Sequence, residues 1–342
     1  MPVLSNESVK VFPLTSRTTM TLEQIRDKLA QLPPQFATFT GGWASTDNAG
    51  SNMGVANVAP PHSEPELLPA DGYLPRMIRA RYYYWDKLYT PRAAATPAQA
   101  DINVLHGLDV VITEAGSGLI SILVSSRNST LVRRRTGAAK SLEAVLRSGD
   151  DTIRVDYKKS ALALKDTDIF LWLAVQKAER PQIDGEIKLD LLSGISGTDA
   201  SMRTADLRAG VDFDRPNFLT AVAETDTLGP IQLSFVRHVG SERSSFKLRL
   251  HADGGFEINK AGISYGDFQS NDAMMLRASY QLAFELIPRL NKLYSDDQGW
   301  ATKRVEVISE AMQTLTDRYQ KMLTAIQERL LNALTDEDEL EG

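Results

Sequence analysis

The clearest chemistry in this chain lies in its clustered guanidinium groups. Arg133, Arg134 and Arg135 are consecutive, with Arg127 before them and Lys140 after. Phosphate oxygens call for such a cluster, because each guanidinium fork can donate two parallel N–H bonds. A helix expected from residue 138 would add the positive end of its dipole. Residues 125–160 carry nine bases against four acids. The same run also fits a solvated loop, or an anchor for the chain's own acidic tail.

Two further segments carry cations in alternation. If residues 74–89 form a strand, Met77, Arg79, Arg81, Tyr83, Trp85 and Lys87 share one face. Arginines interleaved with large rings suit single-stranded nucleic acid, where bases stack on rings and cations meet phosphates. A core strand with arginines at its solvent end has the same pattern. Ser245–His251 alternates Phe246, Leu248 and Leu250 with Lys247, Arg249 and His251, a half-buried strand with a basic outer face. Arg237, in the strand expected before it, is added to this group.

Catalytic templates are thinner. Metal-dependent nucleases hold a divalent cation between two acids and use a lysine to orient the attacking water. Asp168, Glu186 and Lys188 have a permissible spacing, although Asp156-Tyr157-Lys158 competes. Only that reading calls for a cofactor, Mg2+ or Mn2+; otherwise no cofactor and no metal is expected. His62, His106, His238 and His251 show no paired ligand spacing, although His238 and His251 can meet if their strands are neighbours. Ala115-Gly116-Ser117-Gly118 reads as a hairpin turn and not a phosphate cradle, and no nucleophile elbow or dinucleotide fingerprint is present.

A different kind of signal closes the chain. Val305, Ile308, Met312, Leu315, Tyr319, Met322 and Ile326 recur in alternating steps of three and four, a heptad seam. Leu323, Leu330, Leu331 and Leu334 widen it, which favours a bundle over a two-stranded coil, and Arg329 breaks the strict pattern. Such a stripe packs on its own chain or on a second copy. Asp336–Glu339 reads as a disordered solubilising end, or as a contact for a basic partner.

These residues need elements to hold them. Thr21 and Gln24 form a capping box for a helix over 21–32, with Leu22, Ile25, Leu29 and Leu32 on its stripe and Pro33-Pro34 ending it. Residues 40–72 read as a Gly/Pro-rich loop or linker. Strands are expected at 74–89, in a hairpin over 108–127, and near 152–157, 168–175 and 185–192. The run Ile169–Val175 also fits a buried helix. A helix is expected at 138–147, a loop-rich centre at 194–210, and a short helix at 215–224. Strands follow at 230–238, 244–251 and 255–259, with Asp253-Gly254-Gly255 as a tight turn. From Asp272 the pattern is helical, with a kink at Pro288 and a break at 295–299.

Bulk properties set limits. The 342 residues are 42% apolar and 24% charged, as in ordinary globular proteins. The absence of cysteine excludes disulfides, thiol nucleophiles and cysteine-ligated metals. No apolar run approaches a membrane span and no secretory signal is expected. The net charge of −6 sits entirely in residues 296–342, so the remainder is neutral and free to carry basic faces.

The expected fold is α+β: mostly antiparallel sheet elements with a C-terminal helical segment. Residues 1–72 are expected to be an irregular region, 73–271 an α+β body, and 272–342 helices with an acidic tail. The expected function is a non-enzymatic, cytoplasmic nucleic-acid-binding or adaptor protein. It would grip the phosphate backbone with little sequence preference and oligomerise through its C-terminal helices. A metal-dependent nuclease and a structural subunit without nucleic acid are the alternatives.

Overall fold

The computed structural model describes residues 7–35, 37–46, 63–88, 102–127, 129–134, 136–148, 150–198, 204–208, 227–267 and 271–340. The expected helix at 215–224 lies outside them. The architecture is α+β, as the sequence implies. One twelve-stranded antiparallel sheet forms the body.

Strand β1 (Ser8–Arg17) lies mid-sheet. On one side it pairs with β6 (Leu119–Ser126) over residues 10–17. On the other it pairs first with β12 (Phe256–Tyr265) and then with the two-residue β7 (Val155–Asp156). Residues 1–72 are therefore not an irregular region apart from the body, because they supply a central strand. Pro13 hides β1 from sequence reading, since proline is normally excluded from central strands. Glu7 O accepts from Lys260 N and Thr18 N donates to Gly118 O, which turns the backbone groups of odd-numbered β1 residues toward β12 and β7. The missing N–H of Pro13 thus faces the gap between those two ladders, where no bond is lost.

From β6 the sheet continues outward through β5 (Ile102–Glu114) and β4 (Met77–Leu88) to the short β2 (Gly42–Ala44). Strand β3 (Glu66–Leu68) also pairs with β4. Beyond β12 come β11 (Glu242–Leu250), β10 (Thr227–Val239), β8 (Ile187–Thr198) and β9 (Thr204–Arg208). The centre expected to be loop is thus partly strand: β8 runs on to Thr198 and pairs with β9.

Helices cover opposite faces of the two halves. Helix α1 (Leu22–Ala30) forms with both halves of its capping box in place and buries Leu22, Ile25 and Leu29. Leu32 lies past its end and is exposed. Helix α3 (Ala138–Arg147) packs beside it. Trp43 Nε1 donates to Ser141 Oγ at 2.9 Å, and the Tyr82 hydroxyl to Thr136 O at 3.0 Å. Even-numbered β4 residues, Ile78 to Tyr84, belong to this face.

Helix α4 (Asp168–Glu179) occupies the segment expected to be a strand. Ile169 to Val175 are all buried, between strands β8 and β10 and the helices behind. A helix enclosed on every side is apolar all round, which erases the periodicity that would separate it from a buried strand. Helix α5 (Asn271–Gln281) packs on β12. A π turn over Leu282–Leu286 follows, then α6 (Ile287–Asp296) with Pro288 in its first turn. There the proline's missing N–H breaks no regular bond, so the expected kink is taken up by the wider turn before it. Helix α7 (Trp300–Leu340) continues through the acidic run at 336–339, which is therefore helical and not a loose tail.

Candidate nucleic-acid interface

The β4 arginines are built into the body. Arg81 stands opposite Asp109 in the β4–β5 register, and its Nε meets Asp109 Oδ1 at 2.5 Å. Both side chains are about 5% exposed, at 5% and 6%. Burial works against the Arg81 charge, but the Asp109 carboxylate outweighs it and holds the arginine above its ordinary pKa. Burial likewise pushes the Tyr83 hydroxyl up. Arg79 faces Glu66 across the β3–β4 pair at 2.5 Å, and Tyr280 of α5 lies close to it. This polar ladder sits under α5, so Arg79 and Arg81 hold carboxylates of their own chain instead of presenting free cations. The side chain of Lys87 lies outside the described residues.

The 127–140 cluster is at the surface. Arg127, Arg133, Arg134 and Lys140 are exposed, and Arg135 lies outside the described residues. The short α2 (Ser129–Arg133) and the turn after it lay two guanidinium groups on rings: Arg133 is 6.0 Å from the Tyr157 centroid and Arg134 is 5.8 Å from that of Tyr84. Ring faces attract cations, and these contacts hold both guanidinium groups at the surface. Lys140 Nζ reaches Glu143 Oε1 at 3.1 Å.

The third basic group divides between faces. Arg237 lies on the helix-covered face and pairs with Glu285 of the π turn at 2.5 Å. Lys247 and Arg249 alternate to the open face with Lys10 and Glu257, which pair at 2.9 Å; Lys247 is exposed and Arg249 half-buried. The three basic stretches therefore stay in separate places. His238 sits opposite Arg243 near one end of the β10–β11 pair, while His251 follows the other end, so these histidines do not meet.

The structure shows a groove that no motif had marked. It has a volume of about 770 Å3 and lies where β1 and β7 meet, with Arg17, Arg154, Lys158 and Lys159 at its exposed rim. Tyr157, the ring beneath Arg133, also lines it. The only trace of it in the sequence is the surplus of bases over 125–160. Its cations follow no alternation, and Arg17 comes from a distant segment.

The nuclease residues are not assembled. Asp168 starts α4 and pairs with Arg304 of α7 at 2.7 Å; Glu186 pairs with Arg289 of α6 at 2.5 Å. Lys188 is exposed on β8, between the buried Ile187 and Leu189 that face α4, so alternation sends it to the other side of the sheet. No group of three or more metal-ligating side chains occurs among the described residues.

The seam on α7 divides. Leu315 and Ala311 are buried and Ile308 packs against the core, while Trp300 and the pairs Lys303–Glu179 and Arg304–Asp168 fix the helix start. Val305, Met312, Tyr319, Met322 and Ile326 remain 48–60% exposed, with Leu323 and Leu330 beside them. No helix among the described residues is long and apolar enough to cross a membrane.

The chain matches no protein-family model, and no curated protein matches its sequence. Function must therefore be read from the groove and the helix.

Proposed function

We propose that this is a non-enzymatic, cytoplasmic adaptor that self-associates through α7 and holds a nucleic-acid phosphate backbone on its body. The observation that carries the reading is the exposed stripe. Seven of the eleven large exposed hydrophobic residues among the described residues lie on this one helix. An apolar face this concentrated marks an interaction surface, where scattered exposed side chains do not. A second copy fits it well. The positions flanking the stripe include Thr316, Leu323, Ala325 and Leu330, and its charges are Arg318 at the edge and Arg329 where the strict seam breaks, so the face is mainly apolar up to Ile326. Its width points to a bundle of several helices. The exposed cations at 127–140 support the polyanion half of the reading, and contacts of that kind are tolerant of sequence and weaken with salt.

Light scattering tests the assembly. The full chain is expected to run as an oligomer, and Met322→Glu with Ile326→Glu to run as a monomer. Each buried apolar side chain lost removes about 1–2 kcal/mol from the interface. The thermal midpoint of the monomeric body should stay unchanged, because neither side chain touches it. A parent chain that is monomeric at high micromolar concentration would remove the assembly reading.

A further inference from the structure

We propose that the groove between β1 and β7 is the phosphate-binding site, taking successive phosphate groups of a single-stranded nucleic acid. The proposal rests on the polyanion reading above and locates it.

The groove wall is fixed before any ligand arrives. On one side, Glu143 of α3 accepts the Val155 N–H at 3.0 Å, and Arg147 Nε donates to Ile153 O at 2.9 Å. On the other, Thr15 Oγ1 donates to Lys159 O at 3.2 Å and Ser16 Oγ to Arg154 O at 3.0 Å. The backbone that carries Arg154, Lys158 and Lys159 is thus tied to a helix and to the central strand. Cations on a held backbone lose less freedom on binding than cations on a loose loop.

The charge is available. Among the described residues, Arg17, Arg154, Lys158 and Lys159 make no ion pair with any carboxylate. The two acids of the lining are occupied by their own turns. Asp156 accepts the N–H groups of Lys158 and Lys159, and Asp150 accepts both the N–H and the hydroxyl of Thr152. Thr152 holds Asp150 below the ordinary aspartate range, so that it stays ionised within its turn. Four cations against two acids leave the lining positive. Thr18, Thr19 and Ser117 add hydroxyls suited to phosphate or sugar oxygens. Tyr157 contributes a ring, and its buried hydroxyl has no hydrogen-bond partner among the described residues. Arg133 lies over that ring, so the 127–140 cluster extends the cationic path from the groove edge. A ring amid cations on a track longer than one phosphate suits a chain of nucleotides better than a lone anion.

The test is fluorescence anisotropy with labelled oligothymidine, using ATP and inorganic phosphate as separate competitors. Binding should be strongest at low salt. R154A/K158A/K159A should weaken it by at least about ten-fold and reduce the slope of log K against log salt by about 2, at roughly 0.7 per phosphate contact. K158A/K159A, which removes no side-chain bond of the fold, should show about two-thirds of the slope change. K247A/R249A, on the open sheet face, should bind like the parent. If the parent binds and the triple variant binds within about two-fold of it, the groove is refuted while the polyanion reading survives. If oligothymidine never binds but ATP or phosphate, titrated directly by calorimetry, binds the parent and not the triple variant, the nucleic-acid assignment is overturned for a small phosphorylated ligand. If no probe binds the parent at low salt, both readings are overturned.

Discussion

Replacing Asp109 with alanine separates a structural cation from a ligand-binding one. Arg81 and Asp109 face each other across β4 and β5 with almost no access to water. The guanidinium stem runs past Gly107, where an added Cβ would come within 3.0 Å of Arg81 Cδ, so the side chain has little room to swing out. Removing the carboxylate leaves a buried charge uncompensated, a change that costs about 3–5 kcal/mol. At about 2–4 °C per kcal/mol for a body of this size, the midpoint should fall on the order of 10 °C. Scanning calorimetry or denaturant unfolding at neutral pH measures this directly. Arg81→Met with Asp109→Leu removes both charges and should recover most of the loss, because well-packed apolar replacements of buried pairs are often neutral or better. The more exposed Arg79–Glu66 pair should cost less when Glu66 is replaced, about 1 kcal/mol. A loss below about 1 kcal/mol for Asp109→Ala would refute the reasoning. Arg81 would then be reaching water, and it would return to the set of cations available to a ligand.

Two other outcomes follow from local geometry. Burial works against the Glu143 charge, but the Val155 N–H, Lys140 and Arg147 outweigh it and hold the carboxyl below its ordinary value of 4.5. Its contribution is therefore full above that pH and is lost as pH falls through the lower folded value. Glu143→Gln should cost about 1–3 kcal/mol at neutral pH and flatten the acid limb of the stability curve; an unchanged acid limb in urea titrations would count against this assignment. Gly254 has φ +78°, and a Cβ there would fall 2.0 Å from the Leu162 carbonyl oxygen. Gly254→Ala should destabilise by at least about 2 kcal/mol, and a neutral result by chemical denaturation would mean the turn opens freely.

Much of the fold is legible in the residues because local rules act locally. The capping box at Thr21 and Gln24 fixes the start of α1, and the alternation of 244–251 marks β11. The apolar side of 138–147 defines α3 to the residue. Where these rules fail, a distant neighbour is the reason. Ile169–Val175 is helical and apolar all round because other layers enclose it. Pro13 is tolerated mid-sheet because β12 and β7 leave a gap beside it.

The site divides along the same line. By itself the sequence determined which residues carry charge, that the 125–160 stretch is basic, that the negative charge gathers at the end, and that α7 bears an apolar stripe. These are properties of composition and period, which need no partner. Only the tertiary structure decided which charges are free. Arg79, Arg81 and Arg237 meet carboxylates from other strands and from the π turn after α5, whereas Arg17 joins Arg154, Lys158 and Lys159 across more than a hundred residues of chain. A cation's role depends on what stands opposite it, and sheet pairing and helix packing set that.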